Sequence, residues 1–342
     1  MDELVGEILL RLPADEPEHL FRAALAPIEA GRARATLHLP HPGSDGRLTR
    51  PLDCRHGRVL IHRLEDQDLL VWDPVTGERI GLPQPEMDIR TYSAVVLCAA
   101  DGCDHLDCHG GPFRVVFVSS NDNALRISAT VYSSDTGKWR TPTTFSTGLI
   151  VCIQDKRGTV IGDEIYFGHW SGTEIVKYDW VENCLSVIEP PPPGPQVYKC
   201  MFALMAMDDG SLGFAGIENS GLHIWSRKMK TEGAPEWVQC RVIDLEKIMP
   251  MAKPCNGIGV HVVGFAEGVG IIFVSTDVGL FMIELKSGRV RKVDGPGVYY
   301  SVLPYMSFYT PDHGRLSTLV RLTDVRCAAQ EEDFGKWMNP SS

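Results

Sequence analysis

The chain has 342 residues, 33 basic and 44 acidic, for a formal net charge of −11, with 44% hydrophobic and 23% charged residues. This composition excludes the disordered and fibrous classes, the acidic balance leaves no basic footprint for nucleic acid, and no apolar run reaches the ~18 residues of a membrane helix. Met1-Asp2-Glu3 is acidic where a secretory leader would be basic. Ten cysteines in 342 residues fall well short of a disulfide scaffold, so reduced thiols in cytoplasm or nucleus are expected. The 33 Gly and 23 Pro need a cause.

At the N-terminus, Leu4, Val5, Ile8, Leu9 and Leu12 fall on one helical face, with Asp2, Glu3, Glu7 and Arg11 elsewhere. Pro13 ends this helix. Asp15 as N-cap, Pro17 in the first turn and Glu18 in a capping-box position predict a second helix, whose apolar face continues through Leu20, Ala23 and Ala24. Two short helices of this kind do not fold alone; they must pack on the main domain or on a partner. Residues 26–50 have no sustained period and are broken by Pro40, Pro42, Gly43 and Gly46, which predicts a linker. His38 and His41 lie in it without further ligands.

From residue 51 the pattern becomes short β-type runs separated by turns. A turn residue followed by an apolar strand begins at Gly57, Gly111, Asp163, Gly210 and Gly268, at intervals of 54, 52, 47 and 58 residues. Each is followed by a hairpin: Leu70–Arg79, Val131–Trp139, Ile175–Val187, Leu222–Val242 and Leu280–Val290. Asp and Ser open the turns and Gly sits where a positive φ is needed. Units of about 50 residues holding about four strands match a β-propeller blade of the kelch size class. The predicted fold is therefore all-β, with a ring of blades burying their faces on one another; a sandwich would not repeat the same order of elements. Tyr299–Tyr309 adds at least one strand, and a sixth blade shared between this end and a strand near residues 35–50 is expected, making about six. Residues 312–342 read as a tail.

Several clusters could carry chemistry. Cys98, Cys103, His105, Cys108 and His109 crowd one loop. Structural zinc sites more often use tighter cysteine pairs in two knuckles, so a hydrogen-bonded inter-strand loop is the expected reading and zinc its alternative. Pro190–Pro195 is a polyproline ligand or a stiff inter-blade loop, the latter needing no partner. The seven tryptophans read as blade core. There is no Gly-x-Ser-x-Gly elbow, no phosphate-binding loop and no His-Glu-x-x-His, and Glu331-Glu332-Asp333 reads as a solvated run. No enzyme activity and no cofactor is expected.

Asp2–Pro13 followed by Glu16–Leu25 resembles the first half of a plant F-box, and is most similar to the version in the large F-box families of grasses. The resemblance implies that Leu4, Val5, Ile8, Leu9, Leu12, Pro13 and Leu20 dock on the Skp-type adaptor of a cullin–RING ubiquitin ligase. Where that family continues with a Val-Cys-Lys-x-Trp-Arg type segment and a third helix, this chain runs Ala26-Pro27-Ile28-Glu29-Ala30-Gly31-Arg32-Ala33-Arg34, so the F-box is truncated. Residues 51–311 resemble the F-box-associated propeller of the same families through Leu52–Leu60, Val71–Gly77, Cys103–Phe113 and Gly264–Gly270. That implies a division into a partial F-box (1–25), a linker (26–50), a target-binding propeller (51–311) and a tail. The alternatives are a propeller interaction protein that has lost adaptor binding and, more remotely, a propeller enzyme or zinc-binding protein.

Overall fold

The computed structural model describes residues 49–63, 68–73, 77–103, 105, 110–121, 125–147, 151–154, 156–170, 172, 174–192, 202–229, 233–250, 260–296, 299, 301–304 and the backbone of 320–321. The F-box-like face of Leu4, Val5, Ile8, Leu9, Leu12, Pro13 and Leu20, and the proposed strand near residues 35–50 up to residue 48, lie outside these residues.

The described chain is a β-propeller of five antiparallel blades. Blade 1 comprises β1 (Thr49–Arg55), β2 (Arg58–Arg63), β3 (Asp68–Trp72) and β4 (Arg79–Leu82). Blade 2 comprises β5 (Thr91–Cys98), β6 (Phe113–Ser120), β7 (Arg126–Ser133), β8 (Lys138–Trp139) and β9 (Thr143–Ser146). Blade 3 holds β10 (Thr159–Ile161), β11 (Glu164–Gly168), β12 (Ile175–Asp179) and β13 (Cys184–Ile188). Blade 4 holds β14 (Phe202–Ala206), β15 (Leu212–Glu218), β16 (Gly221–Lys228) and β17 (Glu236–Asp244), followed by the one-turn helix α1 (Leu245–Ile248). Blade 5 holds β18 (His261–Ala266), β19 (Ile271–Thr276), β20 (Gly279–Glu284) and β21 (Val290–Asp294). Strands β8 and β9 both pair with β7 and form one outer strand broken at Arg140–Pro142, where proline cannot donate to the ladder.

The sequence repeat fell on the second, third and fourth strands of each blade. The strands after Gly57, Gly111, Asp163, Gly210 and Gly268 are β2, β6, β11, β15 and β19. The hairpin turns have the expected chemistry. The Gly77, Gly137 and Gly288 amides donate back to Asp73, Ser133 and Glu284 at 2.8–2.9 Å, each from a positive φ of 65–78°. Blade 3 puts Asn183 there instead (φ 54°), the non-glycine residue that tolerates this region best. The described prolines Pro190–Pro192 fall between β13 and β14, a connection between blades.

The alternation of side chains along a strand gives each blade two apolar faces. Leu60, Leu69 and Val71 of blade 1 pack with Ala94, Val115 and Phe117 of blade 2. The other face of blade 2 (Val95, Val116, Val118) meets Ile165, Phe167 and Tyr178 of blade 3. Tyr166 and Ile175 then meet Phe202 and Phe214 of blade 4, and Ala215 and Ile224 meet Ile272 and Phe281 of blade 5. Tryptophan closes two of these interfaces on the outside: Trp139 Nε1 donates to the Pro83 carbonyl (2.7 Å) just past β4, and Trp237 Nε1 to the Glu189 carbonyl (2.9 Å) just past β13. Both tryptophans lie against the core of the interface they close.

Among the described residues there are five full blades rather than the expected six or so. A two-stranded sheet, β22 (Val302–Leu303) with β23 (Val320–Arg321), occupies the gap between the last and first blades. Val302 joins Val263, Phe273 and Leu280 of blade 5. Leu303, facing the opposite way, joins Val59, Ile61 and Trp72 of blade 1. The approach is so close that a Cβ on Gly264 of β18 would collide with the Val302 carbonyl, so glycine is required there. Strand β23 lies in the segment read as a tail.

Leu303 is 1% exposed, and Leu303→Ala is expected to cost about 2–4 kcal/mol, as for other buried leucines. Urea denaturation measures this; a cost below ~0.5 kcal/mol would mean the ring closes without it. A second prediction concerns His62, on the blade 1 side of the blade 1–2 interface. Its Nδ1 lies 2.5 Å from the Tyr92 hydroxyl. Burial, then the Arg50 guanidinium, lower its pKa from 6.5 to about 4. Between those values the unfolded state holds a proton that the folded state does not, so stability falls as pH drops from 6.5 toward 4. In His62→Gln that part of the slope of unfolding free energy against pH should be lost; an unchanged slope assigns it elsewhere.

Candidate functional site

Within an antiparallel blade the first-to-second and third-to-fourth turns emerge at one end. On that face, at the mouth of the ring axis, the structure gathers charged side chains from three blades. Asp53 and Arg55 come from the end of β1, Arg157 from the approach to β10, and Glu267 from the turn after β18. Asp53 is fully buried and sits at an irregularity in the β1–β2 register. Its carboxylate accepts the backbone N–H of Cys54 (2.8 Å) and, across the blade interface, that of Val96 in β5 (3.0 Å). The Arg55 guanidinium grips Glu267 with two bonds (2.7 and 3.2 Å) and also donates to the Gly158 carbonyl (3.2 Å). Arg157 reaches the same Glu267 at 3.1 Å and lies 3.4 Å from Asp53. Burial pushes the Glu267 carboxyl up, but the Arg157 and Arg55 charges outweigh it and hold it below the usual range. Burial, then the Asp53 charge, pushes the neighbouring Cys54 thiol far up, so it is inert as a nucleophile.

One position before Arg157, Lys156 Nζ donates to the Phe202 carbonyl of blade 4 (2.5 Å) and the Val262 carbonyl of blade 5 (2.7 Å). The Ser93 hydroxyl donates to the Lys156 carbonyl (2.9 Å), and the Ile153 amide donates to Thr91 Oγ1 (2.8 Å). The innermost strands are sheet edges, and edges expose unpaired backbone groups. Here charged and hydroxyl side chains satisfy some of those groups and tie the five inner strands into one ring. The two arginines and two carboxylates cancel in formal charge, and both carboxylates are engaged by guanidiniums. The chemistry of this cluster is that of a plug.

Beside the plug, the long β5–β6 connection overhangs the β1–β2 turn. The Arg58 guanidinium donates to the Gly110 and Gly111 carbonyls and holds the end of the loop. At its start, the Cys98 amide donates to His56 Nδ1 (3.1 Å). The His56 ring stacks on His105, centroids 4.1 Å apart and 12° from parallel. Burial and then the His105 charge lower the His56 pKa to about 4, so His56 is neutral at physiological pH. The Sγ atoms of Cys98 and Cys103 and a ring nitrogen of His105 lie within 4.8 Å of one another. Of the five loop candidates, the fold therefore brings three together; Cys108 and His109 lie outside the described residues, as does the F-box-like face. A cavity of about 100 Å³ under the loop, lined by Arg58, Val71, Asp73, Glu78, Ile80 and Phe113, holds a few waters but falls below the ~300–1,000 Å³ of small-molecule sites.

The sequence reading missed Asp53, Arg55, Lys156, Arg157 and Glu267. One local signal was available: Asp53 stands inside the apolar run Leu52-Asp53-Cys54, and a carboxylate in a buried strand needs a partner.

Glu267→Gln removes the acceptor that two buried guanidiniums share. It is expected to cost ~3 kcal/mol, the lower end for breaking a buried pair, because the Glu267 side chain keeps 22% exposure. Lys228→Ala, which breaks a half-exposed pair with Asp209, should cost under ~1 kcal/mol. Equal costs by denaturant titration would refute the distinction.

No curated protein matches the chain. Among solved structures it is similar to the PQQ-bound aldose sugar dehydrogenase of Streptomyces coelicolor, at 14% identity over 76% of this chain and 86% of that one, with a TM-score of 0.43. It is similar also to the GH93 α-L-arabinofuranosidase of Fusarium graminearum, at 11% identity over 77% and 85% of the two chains, TM-score 0.43. A third likeness is to the extracellular domain of a one component system from B. thetaiotaomicron, at 12% identity and TM-score 0.38, covering 73% of this chain but only 28% of that one. The family model for the F-box protein AT5G49610-like β-propeller matches residues 51–313, and the chain belongs to that family.

Proposed function

We propose that this protein is the target-binding subunit of an SCF-type cullin–RING ubiquitin ligase. The propeller holds a protein target on the face that carries the β5–β6 loop. The N-terminal segment docks the Skp-type adaptor, and through it the cullin, with Leu4, Val5, Ile8, Leu9, Leu12, Pro13 and Leu20. The observation that carries this reading is the family match over residues 51–313, joined to the F-box resemblance of residues 2–25. The protein is non-catalytic itself: the carboxylates at the axial mouth are committed to guanidiniums, and the neighbouring thiol is held protonated. It works in cytoplasm or nucleus, where its thiols stay reduced.

One sequence feature favours a second reading. After Leu25 the chain departs from the F-box pattern, and an interface of ~25 residues falls short of the ~800 Å² per partner of a standard complex. In that reading the propeller binds its target without recruiting the ligase.

Co-purification separates the two. Tagged full-length chain is expected to recover recombinant Skp-type adaptor and cullin, and Leu9→Asp to abolish recovery while leaving the thermal unfolding of the propeller unchanged. Recovery that survives the charge would refute the docking face. Recovery only after a complete F-box segment is inserted past Leu25 would establish the second reading.

A further inference from the structure

We propose that Cys98, Cys103 and His105 form a zinc site that pins the β5–β6 loop over the propeller face, an inference independent of the ligase reading. The three donor atoms lie within 4.8 Å of one another. Tetrahedral zinc with Zn–S near 2.3 Å and Zn–N near 2.0–2.1 Å needs donors ~3.5–3.8 Å apart, so closure requires shifts of about 1 Å in a loop. Two thiolates and an imidazole are the donor set zinc selects over calcium or magnesium.

The surroundings are built for such a site. Cys98 ends β5 and is held by its amide bond to His56 Nδ1. The β1–β2 turn carries His56 at a positive φ of 51°, and this places its ring flat against His105. His105 itself adopts φ 62° and follows Gly102 at φ 66°, which folds the loop back toward Cys98. The His105 amide donates to Cys103 Sγ (3.4 Å), a backbone bond that orients this ligand as outer partners do at metal sites. Cys98 and Cys103 are partly buried, while His105 is exposed. The zinc therefore sits at the protein surface, with three ligands from the described residues and a fourth from outside this set completing its tetrahedron. Bound there, it joins the start of blade 2 to the loop that Arg58 anchors at its other end.

The test uses full-length chain purified under reductant, stripped of metal and titrated with Zn²⁺ alone, with Co²⁺ as a spectroscopic reporter. About one equivalent of Zn²⁺ should bind, and Co²⁺ should show thiolate charge-transfer and tetrahedral ligand-field bands. Cys103→Ser and His105→Gln should each weaken binding at least ~10-fold, a floor set by the effect of losing even an outer-sphere partner. Cys240→Ser, at an exposed thiol on β17, should bind as the parent does. Circular dichroism of the loop variants, expected to match the parent, separates loss of a ligand from loss of the fold. Binding below ~0.2 equivalents, or parental affinity in both loop variants, would overturn the proposal. So would a Cys98–Cys103 disulfide in protein isolated from a reducing cytosol.

Discussion

A ring of sheets is stable only when its last interface is made, and among the described residues Val302 and Leu303 reach both sides of it. Every blade has two apolar faces, because the side chains of a strand alternate and both sides are covered. Four interfaces join consecutive blades through ordinary blade-to-blade packing. In the remaining gap, between blade 5 and blade 1, Val302 and Leu303 of one short strand pack on opposite sides, Val302 with Tyr299 on blade 5 and Leu303 on blade 1. Were β22 absent, the outer faces of blades 1 and 5 would both meet water, at roughly 25 cal/mol for each Å² of apolar surface. Gly264 belongs to the same constraint, since it lets the closing strand approach β18.

The axis poses the opposite problem. Inner strands expose polar backbone edges, and the solution is charged. Asp53, Arg55, Arg157 and Glu267 link blades 1, 3 and 5, while Lys156 links blade 3 to blades 4 and 5. Buried pairs of this kind add little net stability compared with apolar packing, because desolvation offsets much of their attraction, yet removing one partner is costly. Their effect is selective: each charge has its partner only when the blades are in this order and register. The network also occupies the axial mouth, the place where many propellers open a cavity. The loops of that face, the β5–β6 connection among them, surround it.

Propellers support enzymes and binding modules alike, so architecture alone does not assign an activity. Here the carboxylates at the mouth are paired, the adjacent cavity is small, and the longest described overhang on that face is a Cys/His loop stacked on a turn histidine. Among the described residues, what this face presents to solvent is loop surface rather than an open pocket.

The hairpin period was legible in the sequence. Turn residues with obligatory positive φ and alternating apolar strands leave local marks, and these marked the outer three strands of all five blades. The innermost strands were less legible, since Asp53 interrupts the apolar pattern of β1 and β10 has only three residues. The plug was equally hidden: Arg55 and Glu267 are 212 positions apart, and no local pattern announces a partner at that distance. The loop ligands could be named from composition, yet only the fold shows which three converge. The sequence by itself determined the repeated β-unit and its turns, because those depend on neighbours along the chain. The number of blades, the closing contacts of Val302 and Leu303 and the axial charges were decided by the tertiary structure, because each depends on where the ring brings distant residues together.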